Sequence, residues 1–161
     1  MNQIDIDGID IELLNSLQSN SELSNQAVAA QLQISPATCL RRIKRLRDAG
    51  LIEREIALLS PDKLAATLGY GITALVEISL ERQGNEQLEA FEAKVNADDV
   101  VQQCYRVSPG PDFMLVVHVA DMPGYLALAQ RMFTDDANVR NVKAFFSIKR
   151  SKFKPKVLLA K

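Results

Sequence analysis

The tightest constraint in this sequence is a gap of two residues between two capped helices. Ser24 is a good N-cap, and Leu23 before it can staple onto Val28. The small residues Ala27, Ala29 and Ala30 continue a short helix that ends near Leu32 and lets a neighbour approach closely. Ser35-Pro36 opens the next helix, with serine as cap and proline at the first helical position, where its missing N–H is harmless. Gly50 closes it. Only Gln33 and Ile34 remain to join the two helices, which is too tight for anything but an angled turn. An earlier helix follows Gly8, with Ile9, Leu13, Leu14 and Leu17 on one face, and Ser19-Asn20-Ser21-Glu22 breaks it. Two helices with such a turn, supported by a third, form a helix-turn-helix.

Past Gly50 the pattern loosens and then changes period. Residues 51–59 alternate weakly and read as a short strand or wing. Ser60-Pro61-Asp62 and Gly69-Tyr70-Gly71 punctuate a linker, with a short helix over residues 63–68. Ile72, Ala74, Val76, Ile78 and Leu80 then alternate with mostly polar residues, the pattern of a half-buried strand. Leu88, Phe91 and Val95 mark an amphipathic helix after Gly84-Asn85 that ends near Ala97. Residues 100–107 and 113–119 read as two strands joined by Ser108-Pro109-Gly110-Pro111-Asp112. Asp121 and Pro123 start a helix carrying Tyr125, Leu128, Met132 and Phe133. A last strand places Val142, Ala144, Phe146 and Ile148 on one face. The order is βαββαβ, a ferredoxin-like split unit. The expected fold class is α+β, with residues 1–59 as the helix-turn-helix domain, 60–71 as linker and 72–161 as the second domain. The apolar strand faces exceed what two helices can cover, so one sheet face is expected to pair with another subunit.

The capped third helix carries the strongest chemical signal. Five of the seven residues from 41 to 47 are basic: Arg41, Arg42, Lys44, Arg45 and Arg47. At about 100° per residue, Cys39, Ile43 and Leu46 form the buried stripe. Thr38, Arg41, Arg42 and Arg45 share the opposite half. A helix whose N-terminal half enters the major groove presents such residues to bases and phosphates. The plain alternative is a solvated face, but no acidic residue stands before Asp48, so pairs along the helix do not account for the charges. The candidate DNA contacts are Ser35, Ala37, Thr38, Arg41, Arg42 and Arg45. A second cluster, Lys149, Arg150, Lys152, Lys154 and Lys156, is either a further DNA contact or, more plainly, a solvated tail.

The net charge of −1 hides this local concentration of positive charge, and local sign is what phosphate meets. With 47% hydrophobic and 24% charged residues among 161, the chain can bury a real core. No apolar run is long enough to span a membrane, residues 1–8 do not read as a secretory signal, and the expected location is the cytoplasm. Cys39 and Cys104 are far apart and without clustered histidine, so neither a disulfide framework nor a metal site is expected. His118 is the lone histidine, mid-strand and without a sequence-adjacent nucleophile or carboxylate; no P-loop or dinucleotide motif occurs. No catalytic residue and no cofactor are expected.

Linked motifs across nearly the whole chain resemble the Lrp/AsnC (feast/famine) transcription regulators. They are Asp10-Ile11-Glu12-Leu13-Leu14, the run from Leu32-Gln33-Ile34-Ser35-Pro36 to Arg45-Leu46, and Ala49-Gly50-Leu51-Ile52. In the second half come Cys104-Tyr105-Arg106-Val107, Asp112-Phe113-Met114-Leu115, and Asp121-Met122 with Tyr125. The resemblance implies a regulator that binds double-stranded DNA, a C-terminal domain that binds an amino acid, and homodimers formed through the sheet that assemble further, often to octamers. By itself the loop 108–113 is ordinary turn chemistry. The resemblance makes it an effector site, with Ser108, Pro109, Gly110, Asp112 and Phe113 in the loop and Met122 and Phe146 as apolar neighbours that favour leucine or methionine. Asp112 is then the counter-charge for the ammonium, directly or by fixing the loop, and donors around Gly110 take the carboxylate. Because Pro109 and Pro111 supply no N–H, the site is expected at a subunit interface. The family usually has glycine where Pro109 stands, so the loop backbone departs locally. Phe145 and Phe146 also read as core or dimer interface. Some Lrp-like proteins are haem-pathway decarboxylases, and the basic, well-capped helix argues against that alternative.

Overall fold

The computed structural model describes residues 4–69 and 71–159, so Tyr70, part of the linker punctuation, and residues 1–3 of the N-terminal segment lie outside the described residues. The chain divides into two compact units, residues 1–58 with 152–161, and residues 59–151.

In the first unit α1 (Gly8–Ser19), α2 (Asn25–Gln31) and α3 (Pro36–Asp48) pack around Leu13, Val28, Ala29, Cys39 and Leu46, with Leu14, Leu17, Ile34 and Ile43 against them. Each helix starts where a side chain satisfies its free N–H groups. Ser24 Oγ accepts from Ala27 N–H and Ser35 Oγ from Thr38 N–H. At α1 the cap is Asp7, which forms a reciprocal box with Asp10: each carboxylate accepts the other's backbone N–H, at 2.9 and 3.2 Å. The tight turn between α2 and α3 is made by Gln33 at φ 54°, a left-handed conformation that a side-chain-bearing residue rarely adopts. Gly50 at φ 74° ends α3.

Residues 51–59 do not form the expected strand or wing. A strand needs a ladder partner for its N–H and C=O groups, and no described segment of the chain pairs with this one. Apart from Ile52, which packs against the first core, it runs exposed, tied to α3 by the Arg47–Glu55 ion pair at 2.7 Å. Of the residues expected to belong with the second domain, 152–159 group by contact with the first.

In the second unit α4 (Pro61–Leu68), capped by Ser60, precedes β1 (Ile72–Leu80). The order continues α5 (Asn85–Asn96), β2 (Val101–Arg106), β3 (Phe113–Val119), α6 (Met122–Ala129) and β4 (Val139–Phe146). The four strands form an antiparallel sheet in the order β2-β3-β1-β4, the βαββαβ arrangement expected. Ala74, Val76, Ile78 and Leu80 of β1 and Phe113, Leu115, Val117 and Val119 of β3 are buried in one core with Phe91 and Val95 of α5 and Tyr125 and Leu128 of α6. Helix α6 passes into a π-helical turn, Gln130–Thr134, where Lys94 Nζ donates to Met132 O at 2.9 Å. The sheet's other side carries Leu75, Tyr105 and Phe145, 43, 54 and 52% exposed. Strand β4 stops at Phe146, and Ile148, expected on its apolar face, is fully exposed.

Candidate DNA-reading helix and effector loop

The outer side of α3 is divided by its contact with α1. Asp10 is fully buried, and Arg42 reaches across to it: Arg42 Nη1 lies 2.8 Å from Asp10 Oδ1 and 2.8 Å from Asp7 Oδ2. Arg45 Nη2 donates to Asp10 Oδ2, and its Nη1 donates to Asp5 O at 3.2 Å. The buried carboxylate is therefore met by two guanidinium groups and a backbone N–H, which compensates its removal from water. The hydrogen bonds that Arg42 donates to Asp10 and Asp7 hold its pKa above its ordinary value. The Asp7 pKa is lowered, chiefly by the Asp10 backbone N–H and then by the Arg42 guanidinium.

These contacts sort the candidate DNA residues. Arg42 is 19% exposed and held by α1, whereas Arg41 is exposed with Ala37 beside it one turn earlier. Arg45, 43% exposed, combines its bond to Asp10 with access to solvent. Ser35 and Thr38 sit at the start of α3, their hydroxyls 2.9 Å apart, and Asn25 Nδ2 donates to Pro36 O at 2.8 Å, locking α2 to that start. Arg41, Arg42 and Arg45 line a shallow recess with Asp7. Two further exposed residues, Leu40 and Lys44, lie on the open side of α3 and were not among the candidates. Their signal was available: about 100° per residue places both between Ala37 and the buried stripe, away from α1.

The effector candidates separate into two groups within one subunit. Ser108, Pro109 and Gly110 are exposed at the turn between β2 and β3, with Gly110 at φ 126°, a conformation that favours glycine. Asp112 fastens this turn to the end of β1: its N–H donates to Ile78 O at 2.8 Å, and its Oδ2 accepts from Leu80 N–H at 2.6 Å and Gln83 Nε2 at 3.3 Å. Phe113 follows, but its ring is fully buried with ring centroids 4.9 Å from Phe91, so its side chain serves the core rather than a ligand. Phe146 and Met122 are at the opposite end of the sheet. The register pairs Ile78 with Phe113 but Ala74 with Phe146, and Met122 follows the far end of β3. Phe146 stands edge-on to Tyr125 at 4.9 Å, and Met122 is 42% exposed.

Among the remaining candidates for chemistry, His118 Nδ1 and Thr73 Oγ1 are 3.0 Å apart across the β1–β3 pair. Burial pushes the thiols of Cys39 and Cys104 up, away from thiolate character. Among the described residues no group of three His, Cys, Asp or Glu is placed to hold a metal ion, and no helix is long and apolar enough to cross a membrane.

Comparison with known proteins agrees with this arrangement in both units. The winged helix-turn-helix DNA-binding family matches residues 6–53, and the Lrp/AsnC ligand binding domain matches residues 73–157. The leucine-responsive regulatory protein of Haemophilus influenzae is 40% identical over 123 residues, covering 76% of this chain and 72% of that one. An uncharacterized HTH-type transcriptional regulator from the same organism is 32% identical over 154 residues, covering 96% and 89%. Among solved structures, an AsnC family transcriptional regulator from Agrobacterium tumefaciens superposes with a TM-score of 0.83 at 29% identity, covering 95% of this chain and 97% of that one. A transcriptional regulator from Neisseria meningitidis, solved as an L-Met complex, gives a TM-score of 0.82 at 27% identity, covering 96% and 97%. None of these descriptions supports the decarboxylase alternative. With a DNA-binding helix-turn-helix ahead of an amino-acid-binding domain, this chain belongs to the Lrp/AsnC family of transcriptional regulators.

Proposed function

We propose that this regulator reads duplex DNA with the open side of α3, and that a small apolar amino acid, leucine or methionine, modulates its activity or assembly. The observation that carries the first half is the division of labour on α3. Arg42 is bonded to the buried Asp10 and sets the helix against α1, while Arg41 and the neighbouring Ala37 and Lys44 face solvent. Ser35 and Thr38 mark the N-terminal end of that surface, and Arg45 flanks it. A symmetric assembly would present two such helices to a pseudo-palindromic site, one half per subunit.

The half-exposed sheet face with Leu75, Tyr105 and Phe145 supports pairing of two sheets, with larger assemblies up to an octamer built from such dimers. The effector reading places the amino acid at loop 108–112 and at an interface between subunits. Two features support an interface. The loop's prolines lack N–H groups and that of Asp112 is bonded to Ile78, so one loop offers few donors for a carboxylate. The apolar candidates Met122 and Phe146 lie at the far end of the same sheet, where only another copy's loop could meet them. The leucine-responsive relatives and the Neisseria meningitidis structure with L-Met favour an apolar ligand.

Titration calorimetry with leucine, methionine, alanine, lysine and glutamate tests the ligand, and sedimentation with and without the binder tests assembly. Heat from leucine or methionine alone is the expected result. The DNA half is tested by Arg41→Ala, which should weaken duplex binding and flatten its salt dependence by about one unit of slope if Arg41 meets phosphate. An unchanged slope and affinity for Arg41→Ala and Lys44→Ala alike would remove α3's open side from the interface.

A further inference from the structure

The DNA-binding unit is short of free positive charge on its own. Residues 1–58 hold eight carboxylates and six basic side chains, a net charge of −2. Arg42 and Arg45 are also bonded to Asp7 and Asp10, and Arg47 to Glu55. Yet attraction to a phosphate backbone depends on local positive charge. Residues 152–159, which group with this unit, add three lysines and no acid, carrying it to +1.

The segment is held to α1 by side chains that read its backbone. Gln18 Oε1 accepts from Val157 N–H at 2.7 Å, and Gln18 Nε2 donates to Val157 O at 3.2 Å. Asn15 Nδ2 donates to Leu159 O at 3.4 Å. Lys156 Nζ donates to Ser19 Oγ at 2.8 Å, which places a cation at the C-terminal end of a helix whose last turn has none. Ser19 is a neutral partner, so the charge of Lys156 stays uncompensated by it. Lys152 and Lys154 are exposed. Three lysines at every second position fall on one side wherever the chain runs extended.

We propose that the segment 152–159, docked on α1, is a second DNA-contacting element of this chain, in which Lys152, Lys154 and Lys156 meet backbone phosphates. This rests on the reading of the first unit as a DNA-binding module and assigns it a binding surface outside α3. The lysines meet phosphate, so they act on any duplex and add no sequence preference.

The test uses the full chain and a mixed-sequence 30-bp duplex, with fluorescence anisotropy over a salt series. Lys152→Gln with Lys154→Gln should weaken binding at low salt and flatten the plot of log affinity against log salt by about one unit for each lysine that meets a phosphate in the parent. Lys152→Arg with Lys154→Arg should keep the parent slope. Gln18→Ala, which retains every lysine but frees the segment from α1, should also flatten it. A glutamine variant with the parent's slope and affinity overturns the proposal, as does a Gln18→Ala slope equal to the parent's. A parent chain that fails to bind the duplex overturns the DNA reading and this proposal together, whereas a parent that binds while the glutamine variant is unchanged overturns this proposal alone.

Discussion

Arg42 Nη1 and Asp10 Oδ1 stand 2.8 Å apart, joining the third helix to the first turn of α1 through a carboxylate with no exposed surface. The pair makes the pose of α3 depend on the cap of another helix. Removing one member of such a pair leaves the other's charge unmatched, which typically costs about 3 kcal/mol. Asp10→Ala should therefore lower unfolding stability by about that amount in urea titrations of the full chain. Arg42→Ala should lower the thermal midpoint as well, whereas Arg41→Ala, at an exposed position, should shift stability by less than about 0.5 kcal/mol. Equal midpoints for Arg42→Ala and the parent would show that the bridge does not hold α3.

The turn that defines the motif carries a strained residue. Gln33 sits at φ 54°, where Cβ crowds the following carbonyl at a cost of about 1 kcal/mol, and glycine would not incur it. Gln33→Gly should raise the urea midpoint by up to about 1 kcal/mol of stability with an unchanged m-value, and Gln33→Val should lower it. A glycine variant less stable than the parent would mean that the Gln33 side chain contributes interactions larger than the strain.

The Asp7 carboxylate sets a pH dependence of known sign. Its folded pKa lies below its unfolded value, because the Asp10 backbone N–H and then Arg42 favour the ionised form. The folded chain thus binds fewer protons at this site, and the contribution is complete above the unfolded value of about 4. It fades as pH falls through the lower folded value. Asp7→Asn keeps a helix-capping acceptor and removes the charge. The stability gap between parent and variant should be constant from pH 7 to about pH 5 and close below about pH 4. A gap that persists undiminished at pH 2 would assign it to geometry rather than to ionisation.

How much of this was readable from the residues follows from the sequence distance of each contact. The alternation of Ile72, Ala74, Val76, Ile78 and Leu80 became the buried face of β1, and Ser24, Ser35 and Gly50 bound their helices as capping chemistry requires. These are local signals. The partners of Arg42 and Arg45 are not readable from helical spacing, which pairs residues three or four apart, because the acidic residues that matter lie 32 to 35 residues earlier. The same holds for residues 156 and 157, which meet α1 across more than a hundred residues of chain. At 51–59 the alternation was present without a ladder partner, so it made no strand. The family resemblance groups the effector candidates, and the antiparallel register sets Asp112 and Phe146 at opposite ends of one sheet.

That separation gives the proposed effector loop its sharpest test, at Asp112. Its Oδ2 accepts from Leu80 N–H at 2.6 Å and from Gln83 Nε2 at 3.3 Å, and its N–H is bonded to Ile78 O. These bonds fasten the β2–β3 turn to the end of β1, so the carboxylate's role in the proposed site is to hold the loop in place. Asparagine can keep an oxygen acceptor for both donors, while alanine leaves the Leu80 N–H without its partner and frees the turn. Calorimetry with leucine and methionine should then find Asp112→Asn within about threefold of the parent and Asp112→Ala weakened at least tenfold, about 1.4 kcal/mol. Both variants should bind duplex as the parent does in the absence of amino acid, because the α3 surface lies in the other unit. Loss of binding in Asp112→Asn as well would make the charge itself the ligand's partner, an ammonium contact in place of a loop anchor. Undiminished binding in Asp112→Ala would move the effector pocket away from this turn altogether.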